Sequence, residues 1–209
     1  MFIILLFIGL GIILCYFKIC KKNISLQEQT LESIPAEKFN GLVLFDVDET
    51  LTTGTDNENV VQTVLDRGWA VGICTSGKYY TMENIKKFPW MPKNLWEFIR
   101  KYNDITFNNV GSGILMGKYQ LDIYKNLTTQ IPYGTDIYGF RKGYTLEQNS
   151  IALGIKNPNC MIICDDLITF IQGVKKYNPK LITMCSGTNC GGELSVNNIQ
   201  KAMNFCNKK

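Results

Sequence analysis

The chain has 209 residues, 45% of them hydrophobic and 19% charged, a balance that fits one globular domain plus a short appendage. Its formal net charge of +4 is mild and includes Lys18, Lys21 and Lys22 near the N-terminus, so no nucleic-acid partner is expected. It contains no histidine, which excludes His-based triads, His phosphorelay and most zinc-hydrolase chemistry and leaves carboxylate chemistry open.

Phe2 to Phe17 carries no charge and is followed by Lys18, Lys21 and Lys22. The run falls short of the roughly 20 residues a bilayer span usually needs, but Ile19 and Cys20 extend it past a lysine able to snorkel. No positive start or small-residue cleavage site marks a secretory signal. Residues 1–22 are therefore expected to form an uncleaved transmembrane helix, a single-pass membrane anchor. Residues 23–40, polar and containing Pro35, are expected to be a linker. With lysines only on the C-terminal side, the positive-inside rule puts the following domain in the cytoplasm.

Residues 41–209 make up that domain. Gly41 to Phe45 reads as a strand buried on both faces, as in parallel sheets, and Asp46 and Asp48 fall at its carboxyl end. In open α/β sheets ligands bind at that edge. Side chains two apart on an extended chain share a face, so both carboxylates are expected to converge on one point. Like charges that close repel unless a cation lies between them or one acid keeps its proton. Mg²⁺, a hard ion that takes oxygen ligands and often brings a substrate phosphate, meets the first condition. A turn or helix cap also favours Asp but does not call for two acids straight after an apolar run.

A helix is expected over Glu58 to Arg67, stopped by Gly68, then a strand over Trp69 to Cys74 ending in Thr75-Ser76-Gly77. Helices around Thr81 to Lys87 and Lys93 to Tyr102 flank Pro89-Trp90-Met91-Pro92, with Trp90 and Trp96 read as packing on the sheet rather than as a substrate wall. A strand near Ile105 to Phe107 precedes an irregular stretch in which a small insert fits, within residues 108–138. Arg141-Lys142-Gly143 then precedes a helix from Tyr144 to Leu153, and a strand from Cys160 to Cys164 ends in Asp165-Asp166. A helix over Leu167 to Lys176, a strand over Leu181 to Met184, and a helix capped by Ser195 and running to Phe205 complete the chain.

These motifs, Asp46-Val47-Asp48-Glu49-Thr50, Thr75-Ser76, Lys142 and Asp165-Asp166, occur in the order found in the haloacid dehalogenase-like (HAD) hydrolase superfamily, which the chain resembles from Leu42 to Asp166 and, through the elements that follow, nearly to its end. The resemblance implies an α/β fold, a Rossmann-like three-layer sandwich with a central parallel sheet. It also implies a Mg²⁺-dependent phosphatase working through an aspartyl-phosphate. Asp46 would be the nucleophile and Asp48 the general acid and then base. Thr75, or Ser76 in its place, would hydrogen-bond a phosphoryl oxygen, and Lys142 would offset the negative charge of nucleophile and phosphate. Asp46, Asp48, Asp165 and Asp166 would form the metal set, with Asp165 as direct ligand and Asp166 acting through water or orienting Lys142.

Too few residues separate Asp46 from Thr75 for a folded cap, and at most a small one fits before Lys142. An open site of this capless or small-cap type suits a bulky phosphorylated substrate. The Asp-Glu-Thr form of the first motif is similar to that of the capless phosphatases acting on the RNA polymerase tail and of some acid phosphatases. The residues after Thr50 depart from the polymerase-tail pattern, so the substrate class stays open. A catalytically inactive HAD-like binding module tethered to a membrane is the alternative reading.

Of the eight cysteines, Cys74 and Cys164 fall in predicted strands, where thiols behave as small apolar residues. Cys185 and Cys190 flank a short loop that could be a disulfide or half a metal site; no second pair of matching spacing exists for zinc. Reduced thiols are the expectation for a cytosolic domain, and in a lumen the sequons at Asn23 and Asn126 could be glycosylated.

Overall fold

The structure, a computed structural model, describes residues 38–77, 79–111 and 131–206. These residues belong to a compact unit, Glu37–Lys209. The expected anchor, most of the linker and the middle of the expected insert lie outside the described residues. Among the described residues no helix is long and apolar enough to cross a membrane.

Five strands form one all-parallel sheet: β1 (Leu42–Phe45), β2 (Ala70–Thr75), β3 (Phe107–Asn109), β4 (Met161–Asp165) and β5 (Ile182–Cys185). Their order is β3-β2-β1-β4-β5. The chain thus builds outward from β1 on one side and returns to build outward on the other, which leaves a topological switch between β1 and β4. Crevices at the carboxyl ends of such strands are where ligands bind in α/β sheets. The fold class is α/β, as expected.

Every residue of β1, β2 and β4 is buried. Successive strand side chains point to opposite faces, so both faces of these strands are covered, which explains their unbroken apolar sequence. Fully burying each Val, Leu, Ile or Phe there contributes about 1.5–3 kcal/mol. The covering helices are α1 (Asn57–Asp66), α2 (Lys93–Lys101), α3 (Ile137–Ala152), α4 (Ile168–Tyr177) and α5 (Val196–Met203). One group packs α1 against α2 and α5, and the other packs α3 against α4.

The α3–α4 contact is close because two glycines meet in it. A Cβ placed on Gly173 would come within 2.8 Å of the Gly139 backbone, and one on Gly139 within 2.4 Å of the Phe170 carbonyl oxygen. That close approach sets α3, and with it Lys142, next to the end of β4.

Three expectations are corrected. The helix expected over Thr81 to Lys87 is a set of turns with a single 3₁₀ turn at Ile85–Lys87. Thr81 and Asn84 bond each other's backbone N–H groups through their side chains, Thr81 N–H to Asn84 Oδ1 at 2.9 Å and Asn84 N–H to Thr81 Oγ1 at 3.3 Å. Such local bonds compete with the helix. The strand expected at Ile105 to Phe107 lies at Phe107–Asn109, after a helical turn over Asn103–Thr106. The thiols expected to be reduced are in part paired: Cys160 joins Cys206 and Cys185 joins Cys190, while Cys74 and Cys164 are free and buried. Trp90 and Trp96 are partly buried against the core.

Candidate active site

Asp46 continues β1 past its last assigned residue. Its backbone is extended, and its N–H donates to the Cys164 carbonyl at 2.9 Å, so the ladder with β4 fixes where its side chain starts. The carboxylate is buried, with 5% of the residue exposed. Burial raises its pKa, the Lys142 charge opposes this, and the Asp165 charge adds to the rise.

The chain then leaves the extended path. Val47–Leu51 forms an irregular helical turn closed by the Thr52 N–H donating to the Val47 carbonyl at 3.1 Å. Within it Glu49 has φ 57°, and among the described residues no other non-glycine has a positive φ. That conformation costs roughly 1–3 kcal/mol and gathers at functional sites. Here it is held by the Glu49 N–H to Thr52 Oγ1 at 2.9 Å and by the Thr53 hydroxyl to the Glu49 carbonyl at 2.6 Å.

The turn separates the two acids of the first motif. Asp48 is exposed and accepts a hydrogen bond from the Tyr80 hydroxyl. A Cβ on Gly77 would lie 2.9 Å from Asp48 Oδ2, so this carboxylate faces the loop after β2. Asp48 is not in the compact carboxylate group, which is Asp46, Asp165 and Asp166, each with an oxygen within 4.8 Å of the others. The expected shared face required extended chain through Asp48, and the turn begins at Val47.

Thr75 ends β2 and is fully buried. The β1–β2 register pairs Phe45 with Ile73, which sets Thr75 level with the start of the Val47 turn. Its hydroxyl accepts the Gly77 N–H at 3.1 Å, which leaves the hydroxyl proton for another acceptor. Ser76 is half-buried, with its carbonyl against Gly111.

Lys142 lies in the second turn of α3, not ahead of the helix as expected. The helix begins earlier because Asp136 caps it, accepting from the Tyr138 N–H at 2.8 Å and the Gly139 N–H at 2.9 Å. Lys142 is fully buried. Its Nζ donates to Asp46 Oδ1 at 2.7 Å and to Asp165 Oδ2 at 2.6 Å, and it lies 4.7 Å from the centre of the Phe170 ring. Burial alone would lower its pKa; the charges of Asp46 and Asp165 outweigh that and hold it above its ordinary value.

Asp165 ends β4 and is buried, with Oδ1 accepting the Leu167 N–H at 3.0 Å. Asp166 is also buried and accepts from Asn189 Nδ2 at 2.7 Å. Burial raises the Asp166 pKa, the Asn189 bond lowers it, and the Asp165 charge raises it again.

Three buried carboxylates thus cluster together, and two of them, Asp46 and Asp165, share one buried ammonium. The donor set is all hard oxygen, of the kind that can hold a metal ion. Two residues beside the site were not read from the sequence. Tyr80 reaches Asp48 from 32 positions away and belongs to an aromatic cluster, 5.5 Å from Phe88 and 5.9 Å from Trp90 between ring centres. Asn189 was visible only as a member of the loop between Cys185 and Cys190. Comparisons of the chain with protein-family models, with curated proteins and with solved structures find no match.

Proposed function

We propose that the chain is a divalent-metal-dependent phosphatase of the HAD-like type, hydrolysing a phosphomonoester through an aspartyl-phosphate. The observation that carries this reading is the buried triad Asp46, Asp165 and Asp166 with Lys142 bridging two of its members, at the carboxyl edge of a parallel sheet. A bound Mg²⁺, held by these three carboxylates, would supply positive charge to offset the negative charge of the carboxylates and of the phosphoryl group.

In the proposed first step the Asp46 oxygen not held by Lys142 attacks phosphorus. The bond from phosphorus to the ester oxygen breaks, and that oxygen takes the proton carried by Asp48. Lys142 orients the nucleophile, and the Thr75 hydroxyl donates to a phosphoryl oxygen. In the second step water attacks the same phosphorus and gives its proton to Asp48, and Asp46 is released with inorganic phosphate. The turn at Glu49 supports this division of labour, because it keeps Asp48 apart from the metal-binding carboxylates and exposed toward an incoming ester.

The finer architecture proposed with this function is a Rossmann-like three-layer sandwich behind an N-terminal single-pass transmembrane helix, with the domain in the cytoplasm. The substrate is a phosphorylated molecule of open class, and the absence of room for a large cap favours a bulky one.

Hydrolysis of an aryl phosphate by the chain, with Mg²⁺ and with chelator, tests the reading. Release of phosphate that depends on the metal and stops with chelator is expected. Equal release in both conditions would remove the metal from the account, and no release on any phosphate ester would favour the binding module.

A further inference from the structure

Resting on the metal-site reading above, we propose that Asn189 is a positioning residue for Asp166 and that the Cys185–Cys190 disulfide holds it there, so that the metal affinity of the site responds to thiol reduction.

The loop from Cys185 to Gly192 touches both acidic turns of the site. Ser186 N–H donates to the Asp165 carbonyl at 3.0 Å, and the Thr50 hydroxyl donates to the Ser186 carbonyl at 3.4 Å. Gly187 has φ 119°, a conformation that favours glycine, and a Cβ there would lie 2.2 Å from the Glu49 carbonyl oxygen and 3.0 Å from Asp166 Cβ. Backbone is therefore pressed against the strained turn after Asp46 and against Asp166 at once. Cys190 Sγ lies 3.1 Å from the Asp166 carbonyl oxygen, and Asn189 Nδ2 donates to Asp166 Oδ2 at 2.7 Å. The loop is closed by the Gly187 N–H to the Gly192 carbonyl at 2.7 Å, the Cys190 N–H to the Gly187 carbonyl at 3.0 Å, and the disulfide.

Asn189 itself is exposed, so packing does not hold it on Asp166. What fixes its position is the closed loop. Cys185 is exposed and open to a reductant. An external dithiol would break the S–S bond and leave Cys185 and Cys190 as thiols carrying the dithiol's two protons, and would itself be oxidised to a disulfide. The opened loop would release Asn189, and Asp166 would lose the donor that orients its carboxylate. Partners that orient ligand carboxylates affect metal affinity about 10- to 100-fold. Disulfides are rare in reducing compartments, and those that occur there are usually catalytic or redox-sensing.

The test is Mn²⁺ binding to the full chain in detergent, read from the spectrum of the free ion well below the melting temperature. Asn189→Ala is expected to weaken Mn²⁺ binding by about tenfold or more. Reduction of the wild type is expected to weaken it equally, reoxidation to restore it, and reduction of Asn189→Ala to add nothing, because both changes act through one contact. A purely structural role for Asn189 would lower the melting temperature and leave the dissociation constant unmoved. The reduction effect is expected to persist in Cys160→Ser/Cys206→Ser, which lacks the other disulfide. An unchanged affinity in Asn189→Ala, a loss on reduction that adds to that variant's, or a loss that vanishes in Cys160→Ser/Cys206→Ser would overturn the inference and leave the metal site standing. A wild type that binds no Mn²⁺ in its oxidised form would overturn the metal site and this inference together.

Discussion

Replacing Asp46 with asparagine is expected to abolish phosphate release, by a factor on the order of 10⁴ or more in kcat, while the fold survives. Asparagine has the shape of aspartate and keeps a carbonyl oxygen for the Lys142 ammonium, which donates to Asp46 Oδ1 at 2.7 Å. It lacks the anionic oxygen that would attack phosphorus. The loss of charge costs little in stability, because burial already disfavours the ionised form of Asp46 and Lys142 keeps Asp165 as a partner. Steady-state kinetics beside thermal melts check this. A variant that retains turnover would remove Asp46 from the nucleophile's place, and one that loses activity only by unfolding would show a lowered melting temperature.

Lys142→Met is expected to have the largest effect on stability. Methionine fills much of the same volume but leaves Asp46 and Asp165 buried without their shared cation. Removing one partner from a buried ion pair costs about 3–5 kcal/mol. For a domain of this size that lowers the melting temperature by roughly 10 °C. The deficit should shrink as pH falls. Without the lysine, burial and mutual repulsion hold the folded-state pKa of Asp46 above its unfolded value. The folded variant then binds more protons than the unfolded chain between those two values, and its stability declines as pH rises through that window. Mg²⁺ should offset the deficit in part by replacing the lost charge. Melts of the variant against pH and Mg²⁺ check both points, and a melting temperature equal to that of the wild type at neutral pH would show that Lys142 does not neutralise the pair.

The strand ends were legible because each is an apolar run that stops at a polar residue. Gly41 to Phe45 and Cys160 to Cys164 read as buried strands, and the acids that follow have no apolar role. The helix carrying Lys142 was read too short at its start because Gly139 and Gly143 weaken its helical pattern. Gly139 is there for close contact with α4, which a single chain segment cannot reveal. The grouping of Asp46 with Asp48 failed to appear because a local turn overrode strand alternation. Tyr80 and Asn189 were illegible for another reason. Each meets its carboxylate through loops from a different strand end, so nothing in the neighbouring sequence marks the contact. The disulfide partners of Cys160 and Cys206 were equally hidden, 46 residues apart and joined only when α5 folds back toward β4.

Chemical trapping of the intermediate tests the central claim most directly. The chain would be mixed with an aryl phosphate and Mg²⁺, quenched in acid during turnover and reduced with borohydride, which converts an aspartyl-phosphate to homoserine. Homoserine at position 46, found by peptide mass spectrometry and absent without substrate, is the result expected. Turnover with no homoserine at position 46, or homoserine at another aspartate, would contradict the account.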